Sequence, residues 1–130
     1  MKRIGLAPIF LTALLGLANA SSPTEYVCPV EGKIKGDKSL SSQEIREAEL
    51  KVIIRDKGKT ASLGRCAFSS SEGRVACTFF TADKITRDQG NGFSRFSSDR
   101  ARMDVELYSD GSFLERGGDG AIAHGRCQNY

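Results

Sequence analysis

Residues 63–80 read LGRCAFSSSEGRVACTFF. Two short runs, each carrying a cysteine, flank a Ser/Gly-rich turn at Ser69-Ser70-Ser71-Glu72-Gly73. Folding the chain back about Ser71 and Glu72 sets Cys66 opposite Cys77 and Phe68 opposite Val75. Side chains alternate faces along a strand. Cys66, Phe68, Val75, Cys77 and Phe79 then share one face, and Arg65, Ala67, Arg74 and Thr78 the other. The expectation is a β-hairpin whose apolar, sulfur-bearing face points inward. Directly opposed strand residues lie about 4.5–5.5 Å apart, within disulfide reach, so the geometry favours a Cys66–Cys77 bond.

The chain has four cysteines: Cys28, Cys66, Cys77 and Cys127. The remaining pair, Cys28–Cys127, would clamp the two ends together. An even cysteine count belongs with an oxidising compartment, and the N-terminus agrees. Lys2 and Arg3 precede an apolar run over residues 4–17, and Ala18-Asn19-Ala20 matches a small-x-small cleavage site. The expected division is a signal peptide at residues 1–20 and one exported domain at 21–130. The run is too short for a membrane span, and no transmembrane segment is expected in the mature chain. The destination would be the periplasm or the medium.

Losing Lys2 and Arg3 lowers the net charge of the 130-residue chain from +3 to +1. A nearly balanced surface argues against nucleic acid as a partner. With one histidine and no Cys-x-x-Cys, neither a metal nor a cofactor is expected.

Outward from the hairpin, the chain continues in short strands. Residues 26–35, YVCPVEGKIK, read as an edge or kinked strand, because Pro29 lacks a ladder donor. Ser41 and Glu44 form a capping box with Leu40 and Ile45 as its hydrophobic staple, so residues 42–49 read as two turns of helix packed by Ile45 and Ala48. Residues 50–55, LKVIIR, are the most β-branched strand. The second cysteine strand is expected to run on to Ile85, with residues 86–92 a flexible loop. Residues 102–108 alternate apolar and polar, and Asp110-Gly111 is a two-residue hairpin signal. The fold class is all-β: a small antiparallel barrel or sandwich of seven to eight short strands with one short helix, tied by two disulfides.

Candidate chemistry is sparse. A two-residue turn at Asp110-Gly111 would set Glu106 opposite Glu115 beside Tyr108 and Phe113, a carboxylate pair of the kind that shares a proton, holds a cation or does glycosidase-type work. His124 has no nucleophile elbow to serve. Asp88-Gln89-Gly90-Asn91-Gly92 and Gly117-Gly118-Asp119-Gly120 have the composition of calcium loops but read as turns. No catalytic residue is assigned. Phe93, Arg95, Phe96, Arg100 and Arg102 mix aromatics with guanidinium groups and form the expected partner surface.

Tyr26-x-Cys28 followed by Gly32 resembles the opening of the membrane-bound or periplasmic inhibitors of c-type lysozyme. The resemblance covers fewer than ten residues and implies a small β-barrel with a Ser/Gly-rich inhibitory loop. Ser69–Gly73 is similar to that loop in composition alone, so no functional residue is carried over. The expected function is a non-catalytic exported module that binds a protein or glycan of the cell envelope. The alternatives are an inhibitor of a lysozyme or protease and, behind it, a hydrolase.

Overall fold

A computed structural model describes residues 23–129, so the expected signal at residues 1–20 lies outside the described residues. The elements are β1 (Thr24–Lys35), β2 (Lys38–Ser39), α1 (Ser42–Ala48), β3 (Lys51–Asp56), β4 (Ala61–Ser69), β5 (Arg74–Thr81), β6 (Lys84–Asp88), β7 (Phe93–Ser98), β8 (Met103–Tyr108), β9 (Ser112–Gly117), β10 (Ala121–Arg126) and β11 (Gln128–Asn129). They form one antiparallel sheet in the order β5-β4-β3-β1-β10-β9-β8-β7-β6, with β2 and β11 attached to β1. The all-β class, the short helix and both disulfides, Cys28–Cys127 and Cys66–Cys77, are as the sequence implies.

Among the described residues the strand count is eleven rather than seven or eight. Two of the additions, β2 and β11, are two-residue pairings onto β1. A third arises because the second cysteine strand stops at Thr81 instead of running to Ile85. At Ala82-Asp83 the chain passes to the far edge of the sheet, where the expected loop residues Thr86, Arg87 and Asp88 pair with Arg95, Ser94 and Phe93. The sheet curls into a half-barrel, and this crossing holds its two ends together. The Ala82 amide donates to the Ala61 carbonyl at 2.9 Å and the Asp83 amide to the Ser97 carbonyl at 2.7 Å. Arg87 reaches back from β6 to Asp56 at 2.7 Å.

Of the two expectations for β1, edge or kinked, the structure shows a central strand with a kink. Pro29 is tolerated because it stands where β1 changes partners. Its last pair with β3 is Pro29↔Lys51, and pairing with β10 begins at Val30↔Gly125. On that side the ladder to β11 involves Tyr26 and Val27, so the missing N–H falls in the gap between β11 and β10. The Cys28–Cys127 bond closes the same gap. A bulge between Val30 and Gly32 then kinks the strand.

The helix forms as its caps dictate. The Glu44 amide donates to Ser41 Oγ at 3.1 Å, and the Ser41 amide donates to Glu44 Oε1 at 2.9 Å. Glu49 ends the helix in the left-handed region. Ile45 is buried and belongs to one core cluster with Ile54 and Leu63 of one half of the sheet and Phe96, Val105 and Phe113 of the other.

Candidate functional site

The register of the cysteine hairpin is the expected one: Cys66↔Cys77 and Phe68↔Val75. Its facing is the reverse. The core side of β4 is Ala61 and Leu63, with Arg65 in line, while Phe68 and Phe79 on the cysteine side are 42% and 37% exposed. The reason lies across the ladder. Leu63 is opposite Ile54, and Tyr26 is opposite Ile54 on the other side, so the residues that meet β7–β9 are those in register with Leu63. The cysteine side is covered from within. Phe79 lies on Gly64, where a Cβ would come within 2.6 Å of the ring. The Arg55 guanidinium lies over the Phe79 ring, 4.0 Å from its centroid, and is itself held by Glu25 at 2.6 Å. The cation–π contact and the packing of the ring on Gly64 make an outward phenylalanine tolerable.

β3 flanks β4 only as far as Lys51↔Cys66. The pairs Ala67↔Ala76, Phe68↔Val75 and Ser69↔Arg74 continue with no third strand beside them. The hairpin therefore runs past β3 as an arm, with α1 packing beside β4, and the Cys66–Cys77 bond sits at its root. The two Cα atoms there are 4.1 Å apart, the close spacing of a non-hydrogen-bonded pair. At the tip the Gly73 amide donates to the Ser69 carbonyl at 2.8 Å, with Gly73 at φ 68°. The Ser69 and Ser71 hydroxyls are 3.1 Å apart, and Arg74 pairs with Glu72 at 3.1 Å. The arm is thus fixed at both ends, electrically neutral at its tip, and apolar along the face of Phe68 and Val75.

The expected partner surface does not come together. Phe96 is 0% exposed and belongs to the core. Its neighbour Arg95 points the other way and donates twice to Asp104, once through Nε at 2.8 Å. Phe93 packs against Tyr108 at a centroid distance of 5.9 Å, on the rim of a cleft of about 650 Å³ between the β6–β7 and β8–β9 turns. Arg100 is exposed in the β7–β8 turn, and Arg102 ends that turn at the opposite end of the strands. Strand alternation and strand length separate residues that are close in sequence. The hydrogen bonds from Arg95 hold the Asp104 carboxyl below its ordinary pKa.

The Glu106–Glu115 pair is likewise not formed. Asp110 does not take the positive φ that both common two-residue hairpin turns, types I′ and II′, demand of their first residue. Gly111 alone does, at φ 92°, and its amide donates to the Tyr108 carbonyl at 2.9 Å. The loop is one residue longer, so Glu106 is opposite Leu114 and Glu115 is opposite Val105. Glu106 faces outward, accepting from the Tyr108 hydroxyl at 2.6 Å and pairing with Arg116 at 3.4 Å. Glu115 faces inward, 7% exposed, and pairs with Arg65 at 2.7 Å. A one-residue slip puts a side chain on the other face.

His124 lies on the outer face of β10 above Gly32. The carboxylates of both glycine-rich segments are engaged locally: Asp88 accepts from Asn91 at 2.8 Å, and Asp119 from the Ala121 amide at 3.0 Å. The sequence reading missed two features. One is that the cysteine face is the outer one, for which the signal was Gly64 beside an aromatic partner. The other is a hollow shared by Lys33, Arg65 and Arg102, which no local spacing announces.

Comparison with protein-family models, with curated proteins and with solved structures finds no match for this chain.

Proposed function

We propose that this chain is a non-catalytic, exported binding module that presents the β4–β5 arm to a protein of the cell envelope. The observation that carries this reading is the position of the Cys66–Cys77 bond at the root of an arm whose apolar face carries the exposed Phe68 and the half-buried Val75. Exposed apolar side chains gain free energy when a partner covers them. Holding them rigid beforehand removes most of the ordering cost of association. The neutral tip, where Glu72 and Arg74 cancel, fits an apolar partner surface more than a charged one. Export is supported by the character of residues 1–20 and by two disulfides, which persist in oxidising compartments.

A second reading is favoured by the tip itself. A hydrogen-bonded loop at Ser69–Gly73 on a clamped hairpin has the form of a segment that enters an enzyme cleft, and an inhibitor of a lysozyme or protease would use it so.

The test is photo-crosslinking of the oxidised chain in envelope extract, with a benzophenone amino acid in place of Phe68 and, as control, in place of Ile122. Ile122 is 40% exposed on the outer face of β10, away from the arm. One saturable protein adduct from position 68 and none from position 122 is the expected result. Equal labelling from both positions, or capture of a glycan with no protein adduct, overturns the arm as the binding element. Dose-dependent inhibition across a panel of lysozymes and proteases, abolished by Phe68→Ser, selects the second reading over the first.

A further inference from the structure

A different region, independent of the arm, carries an unassigned site. Lys33 of β1, Arg65 of β4 and Arg102 of the β7–β8 turn line one hollow of about 300 Å³. It opens at the end of the half-barrel opposite the Phe93–Tyr108 rim, and its floor is the small side chains Ala121 and Ala123. Two acids share its wall, and both are already neutralised. Glu115 accepts from Arg65 at 2.7 Å. Asp119 pairs with Lys35 at 3.3 Å and accepts from the Ala121 amide at 3.0 Å. Among the described residues, no hydrogen bond or ion pair engages the side chains of Lys33 or Arg102. Two positive charges are therefore left facing one concave space without a counter-ion.

The backbone is bent to make this so. Arg102 is a non-glycine residue at φ 53°, in the left-handed region. Its side chain passes directly over Gly118, where a Cβ would come within 2.7 Å of both Arg102 Cβ and Nε. Strain of this kind persists where the surroundings hold it, and it gathers at functional positions. Here it carries a guanidinium across a bare glycine to the wall of the hollow.

We propose that the hollow binds a dianionic oxyanion, a phosphate group, between Lys33 and Arg102. The charge count suits a dianion: with Asp119 paired to Lys35, which stands outside the lining, and Glu115 paired to Arg65, the two cations Lys33 and Arg102 remain. The donor set suits an oxyanion as well. Arg supplies a planar fork and Lys a point charge, the two usual partners of phosphate oxygens. The group can arrive as free phosphate or as a phosphate ester on a lipid or polymer.

The test is titration of the ¹⁵N-labelled oxidised chain with inorganic phosphate at constant ionic strength, against chloride. Saturable shifts of the Gly117, Gly118 and Ala121 amides are expected with phosphate and not with chloride. Arg102→Gly removes the charge and relieves the left-handed backbone, so that variant folds at least as well as the parent. Its apparent affinity, and that of Lys33→Gln, falls by about tenfold or more. Phosphate shifts that fail to saturate at tens of millimolar, that chloride reproduces, or that survive undiminished in the double variant overturn the proposal. Sedimentation with phosphatidic acid vesicles identifies the source. Binding that free phosphate competes away assigns a phosphorylated lipid or polymer, whereas saturable shifts without vesicle binding assign free phosphate.

Discussion

Arg65 of β4 reaches across the half-barrel to Glu115 of β9, Nη2 to Oε2 at 2.7 Å. The two partners are unequal. The Glu115 side chain is 9% exposed and the Arg65 side chain 43%. Removing the arginine strands a buried carboxylate, while removing the glutamate leaves an arginine that water can reach. Arg65→Ala should therefore cost more than Glu115→Ala, by about 1–2 kcal/mol in urea unfolding at neutral pH, after allowing for the exposure of Arg65. The double variant should be more stable than Arg65→Ala alone. Equal single-variant losses would mean that the pair lies in water.

Acid should loosen the closure of the half-barrel at a second ion pair. Burial works to raise the Asp56 carboxyl, but the Arg87 guanidinium and the Gly58 amide outweigh it and hold the pKa below its ordinary value. The Asp104 carboxyl is lowered in the same direction, chiefly by its hydrogen bonds from Arg95. The folded pKa values lie below the unfolded value of about 3.9, so the unfolded chain binds protons first as pH falls. The stabilisation is complete above that value and is lost as pH drops through the folded ones. Asp56→Asn should be less stable than the parent at pH 7, and the difference should shrink toward zero below the unfolded pKa. A difference that stays constant from pH 7 down through that range would rule out this pair as part of the acid transition.

The two disulfides should separate stability from binding. Cys28–Cys127 spans 99 residues and Cys66–Cys77 spans 11. On the chain-entropy account, closing these loops is worth about 4.7 and about 3 kcal/mol respectively. Replacing Cys28 and Cys127 with alanine should lower the urea midpoint more than replacing Cys66 and Cys77. The second pair of replacements should abolish crosslinking from position 68 while leaving the chain folded, because it frees the root of the arm. If crosslinking survives that change, rigidity of the arm is not what the partner reads.

Legibility in the sequence followed distance along the chain. The Cys66↔Cys77 register and the capped helix depend on residues within a dozen positions, and both were readable. The facing of the hairpin was not, because it depends on Ile54 and Tyr26 standing in register with Leu63 across two further strands. The Glu106 and Glu115 partners were misread by one residue, since Asp110-Gly111 permits either a two- or a three-residue loop and only the backbone at Asp110 decides between them. β1 reads as an edge or kinked strand because Pro29 is in it. Its central place depends on β10, some ninety residues away, leaving a gap opposite that proline. The residues of the expected aromatic–arginine surface are divided for a local reason, strand alternation between Arg95 and Phe96. Of its members Arg102 alone lines the hollow it shares with residues of β1, β4, β9 and β10.

The bulge of β1 makes one glycine indispensable and leaves another replaceable. A Cβ on Gly125 would stand 2.3 Å from the Pro29 carbonyl oxygen, 3.2 Å from the Glu31 amide nitrogen and 2.9 Å from Phe113 Cε1. Two of those neighbours are backbone at the kink, and Phe113 is in the core, so nothing can step aside. A Cβ on Gly32 would also meet an atom at 2.3 Å, but that atom is His124 Nε2, the end of an exposed side chain that can swing into solvent. Gly125→Ala should destabilise by about 3 kcal/mol, the upper part of the range for an overpacked site. Gly32→Ala should cost less than about 1 kcal/mol and shift the His124 ring resonances. Urea midpoints at unchanged m-value, with ring spectra of the two variants, check both. Equal losses at the two positions would show that His124 is pinned over Gly32 and that the outer face of β10 is as rigid as the kink itself.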